Sequence, residues 1–194
     1  EVWQAAGFAV TGTDVVVGDV RIVCTGDGGP ADRWALAAPD AALPASVDGI
    51  QTTAVDGVAP TPVRHPNGID GFDHVVLRSP DLDRTTRALG DVGLACRRVR
   101  DVATGEHAMQ QRFFRAGSAI LELVGPPEPA GDGPATIWGY AVVATDIDAT
   151  ALFLADRLGE VKEAVQPGRR IATLRTRELG ISRPVAVMSP HVRR

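Results

Sequence analysis

The apolar residues of the chain follow strand-like and helix-like periods in turn. Between Phe72 and Arg78 every second residue falls on one side of a predicted strand, which places His74 on the same side as both of them. Apolar positions then recur at helical spacing, after a predicted N-cap at Ser79 and before a predicted stop at Gly93. Three strand-like runs follow, separated by turn residues. The pattern predicts a β-α-β-β-β unit.

The same order of elements returns in the second half of the chain. A strand is predicted from Ile137 to Val143, and Thr145 is predicted to cap a helix that ends at Gly159 before three further strand-like runs. Each unit alone would expose an apolar sheet face that only the other could cover. The sequence therefore predicts an α+β fold in which tandem βαβββ modules, residues 69–126 and 135–190, form a cupped mixed β-sheet with flanking helices.

The N-terminal part of the chain has a different pattern, in which short β-like runs alternate with turn residues. Gly18 and Asp19 lie between two β-branched runs, which is typical of a tight β-hairpin. The prolines between Ala59 and Gly68 disfavour both a helix and a central strand, which predicts a linker. We therefore expect residues 1–62 to form a β-rich extension and linker, which can also be interpreted as a partial module.

Composition and charge limit the kinds of molecule that the protein is expected to bind. The chain has 194 residues, of which 44% are hydrophobic, enough for one substantial core or two smaller ones. The formal net charge is -4 and the basic residues are dispersed, which predicts no nucleic-acid interface and no membrane-attracted surface. No apolar run approaches the roughly 20 residues of a membrane-spanning helix. Two distant cysteines, Cys24 and Cys96, fit a reducing compartment, so we expect a cytoplasmic protein whose partner is a small molecule.

Two sequence motifs and the predicted tandem βαβββ order resemble those of the vicinal oxygen chelate superfamily. This group includes glyoxalase I, extradiol dioxygenases, fosfomycin-resistance enzymes and the bleomycin-resistance binding proteins. The motifs are HVVLRSPDLDRT, which begins at His74, and FFRAGSAILELVGP, which begins at Phe113, and the resemblance extends from Phe72 to Pro190. It implies that the protein binds a small, oxygen-bearing organic molecule in a cavity between the modules. Because proteins of this plan often pair, a homodimer is also expected.

The resemblance also implies a set of site residues. Metal-using members of the superfamily place one ligand on the first strand and one on the last strand of each module. Carried onto this chain, these positions are His74 and Glu122 in the first module, and Gly139 and Ala186 in the second. The last two cannot coordinate a metal through a side chain. The expected cofactor is therefore one divalent metal (Zn, Ni, Mn or Fe) on His74 and Glu122, with Gln111, Tyr140 or His107 as substitutes, and otherwise none.

Three functions remain open at this point. The first is glyoxalase-like lyase or isomerase chemistry, or chemistry related to dioxygenases, with His74 and Glu122 as catalytic residues on a metal that chelates two neighbouring oxygens. The second is metal-free sequestration of the bleomycin-resistance type. The third is metal-free acid–base catalysis by His74 and Glu122 on a carbonyl compound. The expected substrate-binding residues are Gln111, Phe113, Phe114, Trp138 and Tyr140.

Ordinary structural interpretations compete with these functions. His74 could be a satisfied, partly buried strand histidine, and Glu122 could face water from an edge. A carboxylate flanked by Ile120 and Val124 on the same side of a strand should avoid an apolar surface unless it is paired, which favours His74 as its partner. The arginines at positions 169, 170, 175 and 177 could bind an anionic group, but alternating arginines along a strand are typical of a solvated face, which is the interpretation favoured here.

Overall fold

The computed structural model of the protein describes residues 1–24, 32–37, 42–104 and 107–191. Its helices are α1 (Val2–Ala5), α2 (Leu82–Asp91), α3 (Ile147–Leu154) and α4 (Thr176–Leu179), and a 3₁₀ turn at Ala155–Arg157 follows α3. Its strands are β1 (Asp14–Val17), β2 (Val20–Val23), β3 (Arg33–Ala37), β4 (Ser46–Val47), β5 (Ile50–Val55), β6 (Ile69–Arg78), β7 (Cys96–Thr104), β8 (His107–Ala116), β9 (Ala119–Gly125), β10 (Thr136–Ala144), β11 (Lys162–Glu163), β12 (Arg170–Thr173) and β13 (Val185–Met188).

The fold is mixed α+β, with a large mixed sheet and few helices in the part of the chain described. The order β6-α2-β7-β8-β9 is followed by β10-α3-β11-β12-α4-β13, in which the short helix α4 precedes the last strand, so the predicted tandem βαβββ plan is confirmed. No helix among the described residues is long and apolar enough to cross a membrane.

The chain divides into two compact units. Unit 1 contains Glu1–Gly29, Ala59–His74 and Gly139–Arg194, and unit 2 contains Pro30–Val58 and Val75–Trp138. Strands β6 and β10 therefore contribute residues to both units. The predicted module boundaries are not tested by this division and stay a prediction.

Unit 1 combines a hairpin with sheet strands around one core. Strands β1 and β2 pair antiparallel, and the turn between them contains Gly18 at φ +59°, so the predicted hairpin is confirmed. Strand β12 lies between β11 and β13 and pairs antiparallel with both, and β13 pairs parallel with β10. The core contains Trp3 and Phe8 from the N-terminal segment together with Val142 and Val187 from the sheet. The N-terminal segment thus contributes to the core of this unit.

The proline-containing segment before β6 is anchored within unit 1 by two buried polar residues. His65 Nδ1 accepts a hydrogen bond from the Ala9 N–H at 3.0 Å, and His65 Nε2 lies 2.8 Å from the Val16 carbonyl oxygen. The Asn67 amide donates to the Ala6 carbonyl at 2.9 Å. Burial lowers the pKa of His65 more than its hydrogen bond to Val16 raises it. The folded state therefore favours the neutral imidazole.

Unit 2 carries three antiparallel strands in the order β9-β8-β7 and a small sheet in the order β3-β5-β4. Asp48, in the turn between β4 and β5, accepts hydrogen bonds from Arg84 Nε at 2.7 Å and from the Thr85 hydroxyl, both on α2. Its side chain is only 8% exposed. This carboxylate links the small sheet to α2.

Both predicted helix caps are wrong by one or two residues. The N-cap of α2 is Asp81, whose carboxylate accepts from the Arg84 N–H at 2.9 Å, rather than Ser79. The N-cap of α3 is Asp146 rather than Thr145. In each case the aspartate has the extended backbone that lets a short side chain reach the N–H groups of the first turn. Ser79 instead accepts from the Asp81 N–H and stabilises the turn that precedes α2.

Candidate functional site

A buried carboxylate on β6 joins a histidine and an arginine. Asp73 Oδ2 lies 2.7 Å from His74 Nδ1, and Asp73 Oδ1 accepts from Arg169 Nη2 at 2.8 Å. The Asp73 and Arg169 side chains are 3% and 2% exposed, whereas that of His74 is 18% exposed. Strand alternation predicts opposite sides for Asp73 and His74. The two side chains are nevertheless in contact, because alternation sets the direction in which each Cβ leaves the strand but not the position of the terminal side-chain atoms.

The environment keeps this carboxylate ionised. Burial alone would raise the pKa of Asp73, but hydrogen bonds from His74 and Arg169, with the positive charge of Arg169, outweigh burial and lower it to about 2. An ionised carboxylate can only accept hydrogen bonds, so the proton between the two side chains belongs to His74 Nδ1. In the neutral ring, Nε2 then carries the lone pair.

The sequence offered Arg169 only as a weaker candidate for binding an anionic group, and its contact with Asp73 was not predicted. The interpretation of Arg169 as part of a solvated face is wrong, since the residue is 1% exposed. Its Nε donates to the Ser189 carbonyl at 2.9 Å and its Nη1 donates to Gln166 Oε1 at 2.6 Å. The only local signal is Gly168, whose φ of +76° turns the chain immediately before Arg169. Since β12 begins at Arg170, Arg169 precedes the strand and does not follow its alternation.

A second histidine, also missed, lies near the same carboxylate. His191 Nε2 is 3.4 Å from Asp73 Oδ1 and 3.3 Å from Arg169 Nη1. Its side chain is 65% exposed, so its position is held less firmly than that of the buried pair. Asp73 is thus approached by one well-defined hydrogen-bond partner on each oxygen and by one peripheral imidazole.

Glu122 and Gln111 form a hydrogen bond within unit 2. Gln111 Nε2 donates to Glu122 Oε1 at 2.7 Å. Because a carboxylate offers no proton, the amide nitrogen must face Glu122, which directs Gln111 Oε1 elsewhere. That oxygen is buried and has no hydrogen-bond partner among the described residues. His74 belongs to unit 1 and Glu122 to unit 2, and their pairing stays a prediction.

The structure separates the predicted aromatic residues into different environments. Phe114 is 1% exposed and belongs to the core, so its ring is not accessible to a ligand. Phe113, opposite Glu122 in the register of β8 and β9, is partly buried, and Trp138 is 45% exposed. The Tyr140 ring lies 6.1 Å from that of Phe72. The side chain of His107 lies outside the described residues.

The described residues do not fit a resident metal of the kind the resemblance implies. A Cβ on Gly139 would lie 2.6 Å from the Pro184 carbonyl oxygen, to which the Tyr140 N–H donates at 3.0 Å. This close approach of the backbone excludes a side chain at that ligand position. Ala186 contributes only a methyl group, opposite Ala141 on β10. No group of three or more His, Cys, Asp or Glu side chains among the described residues could hold a metal ion.

Solved structures share this fold at low sequence identity. The structure of methylmalonyl-CoA epimerase from Mycobacterium tuberculosis matches with a TM-score of 0.50 and 17% identity, covering 64% of this chain and 91% of that one. A mutant of 4-hydroxymandelate synthase from Streptomyces coelicolor matches with a TM-score of 0.53 and 16% identity, covering 75% of this chain and 58% of that one. No family model and no curated protein matches the chain. At such identities the similarity establishes the fold alone.

Proposed function

Because the chain has the fold of the vicinal oxygen chelate superfamily, to which both matched enzymes belong, we propose that it binds a small, oxygen-bearing organic molecule beside His74. In this proposal the His74 imidazole exchanges a proton with the molecule without a metal ion. The observation that carries the proposal is the hydrogen bond of 2.7 Å between His74 Nδ1 and Asp73 Oδ2.

The chemistry follows from the state of the buried carboxylate. Asp73 is ionised and holds the proton on Nδ1, so Nε2 is the nitrogen that accepts a proton from a bound molecule. When Nε2 takes that proton, the imidazolium keeps its hydrogen bond through Nδ1 to Asp73 Oδ2. The His74 side chain is 18% exposed, whereas that of Asp73 is 3% exposed. Positioned general bases of this kind typically accelerate proton transfer by about 10²–10⁴-fold.

A carbonyl compound with a hydrogen on the neighbouring carbon is the substrate class that suits such a base. The C–H electrons move toward the carbonyl oxygen as the proton moves to Nε2, and a proton is returned from the imidazolium to the same carbon or to the oxygen. The matched mycobacterial enzyme is named an epimerase of methylmalonyl-CoA. We therefore choose methylmalonyl-CoA as one probe and pyruvate as a second.

Solvent deuterium exchange tests the proposal. The C–H signal of each probe is followed by proton NMR in heavy water with the wild type, with His74→Gln and with His191→Gln as a control. We expect exchange with the wild type, a decrease of about 10²-fold or more in His74→Gln, and near wild-type exchange in His191→Gln. Equal rates in the wild type and His74→Gln, or no exchange of either probe by the wild type, contradict the proposal.

Metal titration separates this proposal from the metal-assisted function expected from the family. Calorimetry with Ni, Zn, Mn and Fe(II) is performed on the wild type, His74→Ala and Glu122→Gln. The proposal predicts that treatment with a chelator leaves the deuterium exchange unchanged. Micromolar or tighter binding that both variants lose, together with loss of exchange after chelation, would instead support a metal on the two predicted ligands.

A second candidate is a binding protein that performs no chemistry, of the bleomycin-resistance type. The observation that favours it is the 45% exposed indole of Trp138, a large apolar surface available to a flat ligand. A ligand that quenches tryptophan fluorescence in the wild type but not in Trp138→Phe, and that shows no deuterium exchange, supports this function. The expected homodimer stays a prediction, which light scattering of the purified protein tests.

A further inference from the structure

Unit 2 contains an open groove that includes neither His74 nor Asp73. Its volume is about 660 Å³, within the range of small-molecule sites. It lies where β6 and β9 end and where β8 and β10 begin. The residues used below are Arg78, Met109, Val124, Pro126, Pro134 and Thr136, all of which line it.

The floor of the groove is held in place by backbone contacts. The Ser79 N–H donates to the Val124 carbonyl at 3.0 Å, and the Ala130 N–H donates to the Pro80 carbonyl at 2.9 Å. A Cβ on Gly125 would lie 2.2 Å from the Ser79 carbonyl oxygen, so only glycine permits the end of β9 to approach this turn. The groove is therefore largely preformed, which reduces the entropy that a ligand must overcome.

The described walls of the groove are apolar, and the charged group among them is positive. Met109, Val124, Pro126 and Pro134 present carbon atoms, and Arg78 is the single ionisable residue among the described residues that line the groove. Arg78 is exposed, and among the described residues no carboxylate forms an ion pair with it. The described lining therefore places one guanidinium beside an apolar surface.

We propose that this groove binds a small organic monoanion, a carboxylate with an apolar chain or ring. The carboxylate pairs with Arg78, whose planar group forms two parallel hydrogen bonds to such an anion. The apolar body lies against Met109 and Val124. A dianion such as a phosphate monoester suits the groove less well, because the Ser79 hydroxyl is already engaged with Thr85 and the Asp81 backbone.

The test compares three probes that share a phenyl ring on a four-carbon chain and end in an anionic, a neutral or a cationic group. These are 4-phenylbutyrate, 4-phenylbutanol and 4-phenylbutylamine, titrated into ¹⁵N-labelled wild-type protein while the amide signals of Ala108, Gly125 and Thr136 are followed by NMR. We expect the carboxylate to shift these signals saturably, and to bind on the order of tenfold more tightly than the alcohol, with the amine weaker still. Equal affinity for the carboxylate and the alcohol, or shifts confined to other residues, overturns the proposal.

Three variants complete the test. Arg78→Gln should weaken 4-phenylbutyrate binding by about tenfold, Arg78→Lys should retain part of it, and Arg97→Gln, an exposed arginine of the same unit outside the groove, should change nothing. The NMR spectrum shows in the same experiment whether each variant is folded. Unchanged affinity in Arg78→Gln overturns the proposal. His74→Ala should bind the probe like the wild type, which distinguishes this result from that of the proton-transfer experiment.

Discussion

The buried ion pair between Arg169 and Asp73 makes a strong prediction about stability. Arg169→Met removes the guanidinium but keeps an unbranched apolar stem, so Asp73 remains buried with its charge uncompensated on one oxygen. The pKa of Asp73 lies at about 2 instead of 3.8, which corresponds to roughly 2.5 kcal/mol in favour of the carboxylate after the opposing effect of burial. Removing one partner of a buried pair typically costs about 3–5 kcal/mol. We therefore expect the free energy of unfolding to decrease by about that amount at neutral pH.

Urea denaturation followed by circular dichroism measures this change. The matched control is Arg170→Met, because the neighbouring Arg170 pairs with Asp148 while the two side chains are 39% and 67% exposed. Exposed pairs contribute about 0–1 kcal/mol, so the control should differ little from the wild type. The double variant Asp73→Asn/Arg169→Met should lose less than the sum of the single variants, by roughly 1.5–3 kcal/mol. A cost for Arg169→Met no greater than that of the control would refute the reasoning.

Three further predictions concern stability and are all measured by urea denaturation. The free energy of unfolding should decrease as the pH falls below 6.5, the ordinary pKa of histidine. The fold lowers the pKa of His65, so the unfolded chain takes up the proton first. A His65→Gln variant with the same pH dependence as the wild type would contradict this. Asp48→Asn should cost about 1–3 kcal/mol through its weakened bonds to α2, and an unchanged midpoint argues against that link. Gly139→Ala should cost about 1–3 kcal/mol because of the close Pro184 oxygen, and a free energy of unfolding equal to that of the wild type would contradict this.

The architecture was accessible from the sequence because it depends on local patterns. Alternation, helical spacing and turn residues predict the tandem βαβββ order and the hairpin at Gly18, and both are confirmed. The predicted helix caps were wrong because two polar residues one or two positions apart could each cap the helix. The backbone conformation at Asp81 and Asp146 selects the aspartate in both cases.

Only part of the candidate site could be predicted from the sequence. His74 was identified through its place in a resemblance, but the side chains that determine its proton lie on its direct neighbour and on Arg169, and Arg169 is 96 positions from Asp73 along the chain. No periodicity links residues at that separation. Likewise, Phe114 and Trp138 were both expected to bind substrate, and the sequence could not distinguish the buried Phe114 from the exposed Trp138.

Short-range order thus decides which elements form and in what sequence they follow one another, since φ, ψ and the periods of three to four or two residues are local properties. Long-range packing decides which polar groups are buried next to one another. Asp73 and Arg169 are buried together only once the first part of β6 and the start of β12 belong to one unit. There the hydrogen bonds from His74 and Arg169 outweigh the opposing effect of burial, lower the pKa of Asp73 and leave the proton on His74 Nδ1.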